Sequence, residues 1–143
     1  MSSYLLDTSA LLALRYNEAG ADRVADLLTN SANTGKTGPP GQQVFMLFGC
    51  FMSLMEMMYR VWKVEGEAAG RAAYANCQAL PITWVHESAE LLESAAKLKA
   101  LHPLSMADAW IAATAMQYGA VLVHKDPEFE PIQGLLAEQL PYK

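Results

Sequence analysis

Short apolar runs in this chain stop at acids. Tyr4-Leu5-Leu6 ends at Asp7, and Val121-Leu122-Val123 is followed by His124-Lys125-Asp126. Apolar runs this short, bounded by polar turn formers, suit strands buried on both faces, as in a parallel sheet. Residues 44–47 and 82–85 are further strand candidates, and 135–138 a last edge strand. Helical patterns fill the intervals, over residues 10–16, 20–28, 51–65, 66–80, 88–101 and from Ser105 to near Gly119. Strands alternating with helices predict an α/β fold, with three layers α/β/α around a central parallel sheet of four to five strands.

Length and composition narrow the rest. At 143 residues, 52% of them hydrophobic, the chain suits one compact domain over 1–143 and excludes a disordered one. No apolar run reaches the roughly 20 residues that span a bilayer. With no signal-like segment before Asp7, a cytoplasmic protein is expected. Cys50 and Cys77 have no CxxC spacing and read as buried thiols. Ten Lys and Arg against a net charge of −5 form no basic stripe, so any nucleic-acid contact must be local or metal-assisted. Residues 30–43 (NSANTGKTGPPGQQ) are rich in breakers and predict an exposed loop. Gly35-Lys36-Thr37 there is a poor phosphate-binding loop, because no strand leads in and Pro39-Pro40 forbids the helix that should follow.

The acids carry the chemistry. Ligands of open parallel sheets bind beyond the carboxyl ends of strands, where Asp7 and Asp126 both fall. Asp108 lies in the first turn of its helix, three residues after Ser105, and Glu56 sits among Leu54, Met55, Met57 and Met58. Each has an ordinary explanation. Asp7 can cap a helix, Ser105-x-x-Asp108 approximates a capping box, Asp126-Pro127 can start a turn, and Arg60 can pair with Glu56 one helical turn away. Gathered together they need a cation, since two carboxylates about 4 Å apart repel by about 4 kcal/mol at an effective dielectric near 20. Oxygen ligands without a His or Cys cluster suit Mg²⁺ or Mn²⁺ rather than zinc. His86, His102 and His124 are dispersed, with His124 nearest the acids.

Four segments, in order, resemble the PIN-domain ribonucleases of the VapC toxin type. They are Leu5-Leu6-Asp7-Thr8-Ser9-Ala10-Leu11-Leu12, Ser53-Leu54-Met55-Glu56, Leu104-Ser105-Met106-Ala107-Asp108-Ala109 with Ile111-Ala112-Ala113-Thr114-Ala115 beyond it, and Val121-Leu122-Val123-His124-Lys125-Asp126-Pro127-Glu128-Phe129. The resemblance implies a PIN-like domain and an RNA endonuclease with a Mg²⁺-binding acidic cluster. It implies a dimer as well, held inactive by a small antitoxin. By position, Asp7 and Asp108 would be the principal metal ligands, with Glu56 and Asp126 completing the catalytic cluster. Two departures stand out. His124 occupies a position where the family often has Thr or Ser, and residues 30–43 are long and rich in Gly and Pro.

Other classes fit less well. A haloacid-dehalogenase-like phosphatase needs a second Asp two residues after the first, where Ser9 stands, and a response-regulator receiver needs an acidic pair at the first strand. The alternative that survives is a non-catalytic PIN scaffold that binds RNA or a partner protein. Lys125, Arg15, Arg60 and Lys63 are the cations available for phosphates. The apolar stretch from Met46 to Trp62 suits either core or a partner surface.

Overall fold

The computed structural model describes residues 2–35 and 44–142. Five strands, β1 (Ser2–Leu6), β2 (Phe45–Cys50), β3 (Thr83–Val85), β4 (Val121–His124) and β5 (Ala137–Gln139), form one sheet in the order β3-β2-β1-β4-β5. Every pairing is parallel. The α-helices among the described residues are α1 (Thr8–Arg15), α2 (Ala21–Asn30), α3 (Phe51–Glu65), α4 (Glu67–Ala79), α5 (Ala89–Leu101) and α6 (Met106–Gln117). The architecture is the three-layer α/β/α arrangement expected from the alternation of elements.

Alternation along each strand builds two cores. Leu5 and Leu122 face one way and pack with Leu91, Ala95 and Leu98 of α5 and Ile111 of α6. Leu6 and Val123 face the other way and meet Leu11 of α1, Val24 and Leu27 of α2, and Leu54 and Met57 of α3. All four strand residues are fully buried, which explains why β1 and β4 show no polar alternation. Helix α6 is wedged between the sheet and α5, so residues all round it are buried, Asp108 and Thr114 among them. Gly119, at φ 59°, ends it in the left-handed conformation that lets the chain turn into β4.

The first residues of the segment expected to be an exposed loop, 30–43, are structured. Asn30 is the last residue of α2, Ser31 is fully buried, and Ala32–Thr34 form a 3₁₀ turn. The Asn33 side chain receives a hydrogen bond from the Leu47 N–H (2.9 Å) and donates one to the Leu47 carbonyl (3.0 Å). An asparagine amide here satisfies the β2 backbone as a neighbouring strand would. Residues 36–43, including Lys36, Thr37 and Pro39-Pro40, lie outside the described residues. Strand β2 also runs past residue 47 to Cys50 and enters α3 directly. Gly49 stays in the strand because a Cβ there would run into the Trp84 ring on β3.

No helix among the described residues is long and apolar enough to cross a membrane. Cys50 and Cys77 are free and buried.

A candidate metal centre at the strand ends

The strand order reverses direction at β1, which pairs with β2 on one side and β4 on the other. The parallel arrangement brings the carboxyl ends of β1 and β4 side by side, and the Asp7 N–H extends their pairing by bonding to the Val123 carbonyl (3.1 Å). Beyond this edge lies a pocket of about 360 Å³ lined by Asp7, Glu56, Asp108, Asp126 and Glu128, with Thr8, Ser9, Arg60 and Ser105 between them. All four acids singled out from the sequence therefore meet. Their ordinary structural roles hold as well.

Asp7 caps α1, accepting from the Ala10 N–H (2.8 Å), and its two oxygens also receive the Ser9 hydroxyl (2.7 and 2.8 Å). It is 2% exposed. Burial pushes its carboxyl up to about 7, against the pull of the Ser9 and Ala10 hydrogen bonds and with help from the charges of Asp126 and Glu56. Ser9 Oγ in turn accepts the Lys125 N–H (2.9 Å), so one hydroxyl ties the β1 end to the β4 end.

Glu56 reaches the pocket from the second turn of α3. The Thr8 hydroxyl donates to its Oε1 (2.6 Å) and lies 3.0 Å from Ser53 Oγ, and Arg60 approaches Oε2 at 3.4 Å. Asp108 is held in the first turn of α6, where its N–H bonds to Ser105 Oγ (3.1 Å). Its carboxyl is pushed up to about 9, first by burial, then by its hydrogen bond to Glu128 and by the charges of Asp126, Glu128 and Asp7. The same hydrogen bond draws Glu128 below the usual range. Between the two, the shifts favour the proton on Asp108.

Asp126 opens a 3₁₀ turn, Pro127–Phe129, by accepting from the Glu128 N–H (3.0 Å). Its own N–H donates to Nδ1 of His124 (3.1 Å). Burial lowers the His124 pKa, so the neutral ring is the form that accepts this bond. The side chain is 2% exposed and packs against Phe129, which makes it a support for the turn.

Sequence reasoning passed over Glu128, Ser9, Thr8 and Ser53 as site residues. The signal for Glu128 was its spacing, because a Pro-led 3₁₀ turn after Asp126 folds the second residue back over the pocket. Lys125, a candidate phosphate cation, is spent elsewhere: Nζ bonds to the Ala19 carbonyl (2.8 Å) and lies 3.5 Å from Glu18. Arg15 pairs with Glu65 (3.5 Å). Arg60 alone of the four cations lines the acidic pocket.

The donor set fits a hard divalent cation. Asp108, Asp126 and Glu128 each offer a carboxylate oxygen within 4.8 Å of the others. Mg²⁺ binds oxygens at about 2.0–2.1 Å, so opposite ligands stand about 4.2 Å apart. Asp7 and Asp108, both raised by burial and by the charge of Asp126, gain most from a positive charge in the pocket.

A parallel α/β sheet with carboxylates gathered at its switch point defines an acidic-centre domain suited to divalent cations. The chain belongs to the PIN domain family, whose model matches residues 4–135. Its fold is similar to that of VapBC2 from Rickettsia felis bound to a DNA fragment from its promoter (TM-score 0.72, 17% identity, covering 97% of this chain and 99% of that one). It is also similar to DNA-bound VapBC from Salmonella typhimurium (TM-score 0.71, 19% identity, 97% and 98% covered). A third is VapC20 from Mycobacterium tuberculosis, described as a Sarcin-Ricin loop cleaving toxin (TM-score 0.68, 21% identity, 94% and 97% covered). No curated protein sequence matches the chain.

Proposed function

We propose that this protein is a divalent-metal-dependent RNA endonuclease, the toxin of a toxin-antitoxin pair, using Mg²⁺ or Mn²⁺. The observation that carries the reading is the convergence of Asp7, Glu56, Asp108 and Asp126 on one pocket, where burial and the neighbouring carboxylates raise the pKa values of Asp7 and Asp108. Family membership supports a nuclease, and the likeness to VapBC structures supports the toxin-antitoxin setting. The cleavage attributed to VapC20 supports RNA as substrate.

In this reading Asp7 and Asp108 are the principal ligands, with Asp126 and Glu128 completing the set. A bound divalent cation supplies charge neutralisation, polarisation of a phosphate oxygen and acidification of water for hydrolysis of a phosphodiester bond. The protein's own contribution is position. Ser9 and the α1 N-terminus fix both oxygens of Asp7. Thr8 and Arg60 fix Glu56, leaving its carboxylate aimed into the pocket as the group that orients the attacking water. The apolar side chains that α3 leaves exposed, Met55, Tyr59, Trp62 and Val64, offer surface for the partners the reading calls for, a small antitoxin and a second copy of the chain. The setting is cytoplasmic.

The test is cleavage of defined RNAs with Mg²⁺ and with EDTA. Cleavage that EDTA abolishes and Asp7→Asn removes, with the fold intact by circular dichroism, is expected. Metal-independent RNA binding without cleavage overturns the reading in favour of a non-catalytic PIN scaffold.

A further inference from the structure

Beside the acidic pocket lies a second cavity of about 500 Å³, and the two share Ser9, Arg60 and Asp126. Its character is different. Leu12, Tyr16, Pro127 and Tyr142 supply apolar and aromatic wall.

Tyr16 is set in place before anything binds. Its hydroxyl donates to Glu65 Oε2 (2.6 Å) and the Arg15 guanidinium sits 5.7 Å from its ring centre, yet the residue is 45% exposed. A ring anchored at its tip, with a guanidinium over it and nearly half of the residue still open, is a stacking platform with little ordering left to do. Arg60 stands on the boundary between the cavities, 3.4 Å from Glu56 and beside the Tyr59 hydroxyl, and its side chain is 51% exposed. A cation there can face a phosphate on either side. The Lys125 amine, engaged by Ala19 and Glu18, leaves that role to Arg60.

We propose that this cavity is a nucleobase subsite. Resting on the nuclease reading above, it takes the base adjoining the phosphodiester bond presented to the acids, with that base stacked on Tyr16 and the intervening phosphate on Arg60. A flat apolar wall beside a phosphate-seeking cation matches a nucleotide's two halves, and single-stranded RNA is bound chiefly by stacking on aromatic rings and by cations along the backbone. The cavity is also within the size range of small-molecule sites, roughly 300–1,000 Å³.

The probes are fluorescein-labelled hexaribonucleotides of adenine and of uracil, and the same sugar-phosphate hexamer with every base removed. Binding is followed by fluorescence anisotropy with Mg²⁺ on the Asp7→Asn protein. Base-bearing hexamers should bind about tenfold more tightly than the abasic one. Adding Tyr16→Ala should erase that difference by weakening only the base-bearing probes, and Tyr16→Phe should restore it. Arg60→Gln should weaken all three alike. Equal binding of abasic and base-bearing probes overturns the subsite and leaves the cavity as a groove for a peptide, as does a preference that survives Tyr16→Ala. Mg²⁺-dependent cleavage of a mixed-sequence RNA by the unaltered chain is measured in parallel. Cleavage without base preference overturns the subsite alone, whereas neither binding nor cleavage overturns the nuclease reading with it.

Discussion

The cleft between α5 and α6 holds about 770 Å³, twice the acidic pocket at about 360 Å³. Its walls are ordinary surface, with Lys97, Leu101, His102, Met116, Gln117 and Gln133 around an opening that gathers no like charges. The smaller pocket is expensive to maintain. Several carboxylates share it, with hydroxyls and amides built around them to hold their orientation. A fold tolerates that self-repulsion where a ligand is to relieve it, so stored electrostatic conflict marks a site better than volume does.

Four experiments probe the contrast. Asp7→Asn or Asp108→Asn should cut metal-dependent RNA cleavage by more than about 100-fold, exceeding the roughly 10–100-fold typical of residues that only orient a ligand. Kinetics on a defined RNA read this out, and wild-type rates in both variants would remove the distinction between the clefts. Ser9→Ala should lose about 10–100-fold, because Asp7 then lacks its link to the Lys125 amide. Titration with Mn²⁺ by calorimetry should show the weakened affinity directly.

The third experiment concerns stability. With Asp7 raised from 3.8 to about 7, the folded state binds more protons than the unfolded one between those pH values. Stability of the metal-free protein therefore falls as pH rises from about 4 to about 7, by at most about 4 kcal/mol from this group. Asp108 extends the decline toward about 9, and Glu128, lowered, opposes it. Differential scanning fluorimetry in EDTA should show the melting temperature dropping from pH 5 to pH 8, with Asp7→Asn flattening the slope and added Mg²⁺ recovering the loss. A flat profile for the unaltered chain would mean the carboxylates are not in conflict. The smallest effect belongs to the other cleft, where Lys97→Ala and His102→Ala should change cleavage by less than about twofold, as surface substitutions usually do.

Much of this was legible in the sequence because the residues proposed as ligands also have ordinary structural roles. Asp7 was readable as a cap and as a ligand, and it caps α1 while lying in the pocket. The same holds for Asp126 at its turn and for Glu56 beside Arg60. Asp108 differs only in that Ser105 does the capping. Such dual use follows from geometry, since the helix starts that need caps lie at the strand ends where ligands bind.

What escaped notice depended on long-range packing. The strand expected over 44–47 runs on through Gly49 to Cys50, and the fitness of Gly49 for it lies in Trp84, 35 positions on. Asn33 looked like loop because nothing local announces that its amide will bond to Leu47. Glu128 was visible as an acid, but its approach to Asp108 depends on the turn at Pro127 and on where α6 begins.

The pairing of the first strand with the fourth also sets a schedule for synthesis. Ser9 and Lys125, joined by a hydrogen bond at the rim of the pocket, are 116 residues apart. At about 5–20 residues per second, a ribosome needs roughly 6–23 s to travel from one to the other. For that interval Asp7 has been made and Asp126 has not, so a chain interrupted before β4 carries Asp7, Glu56 and Asp108 without the strand end and turn that complete the acidic pocket.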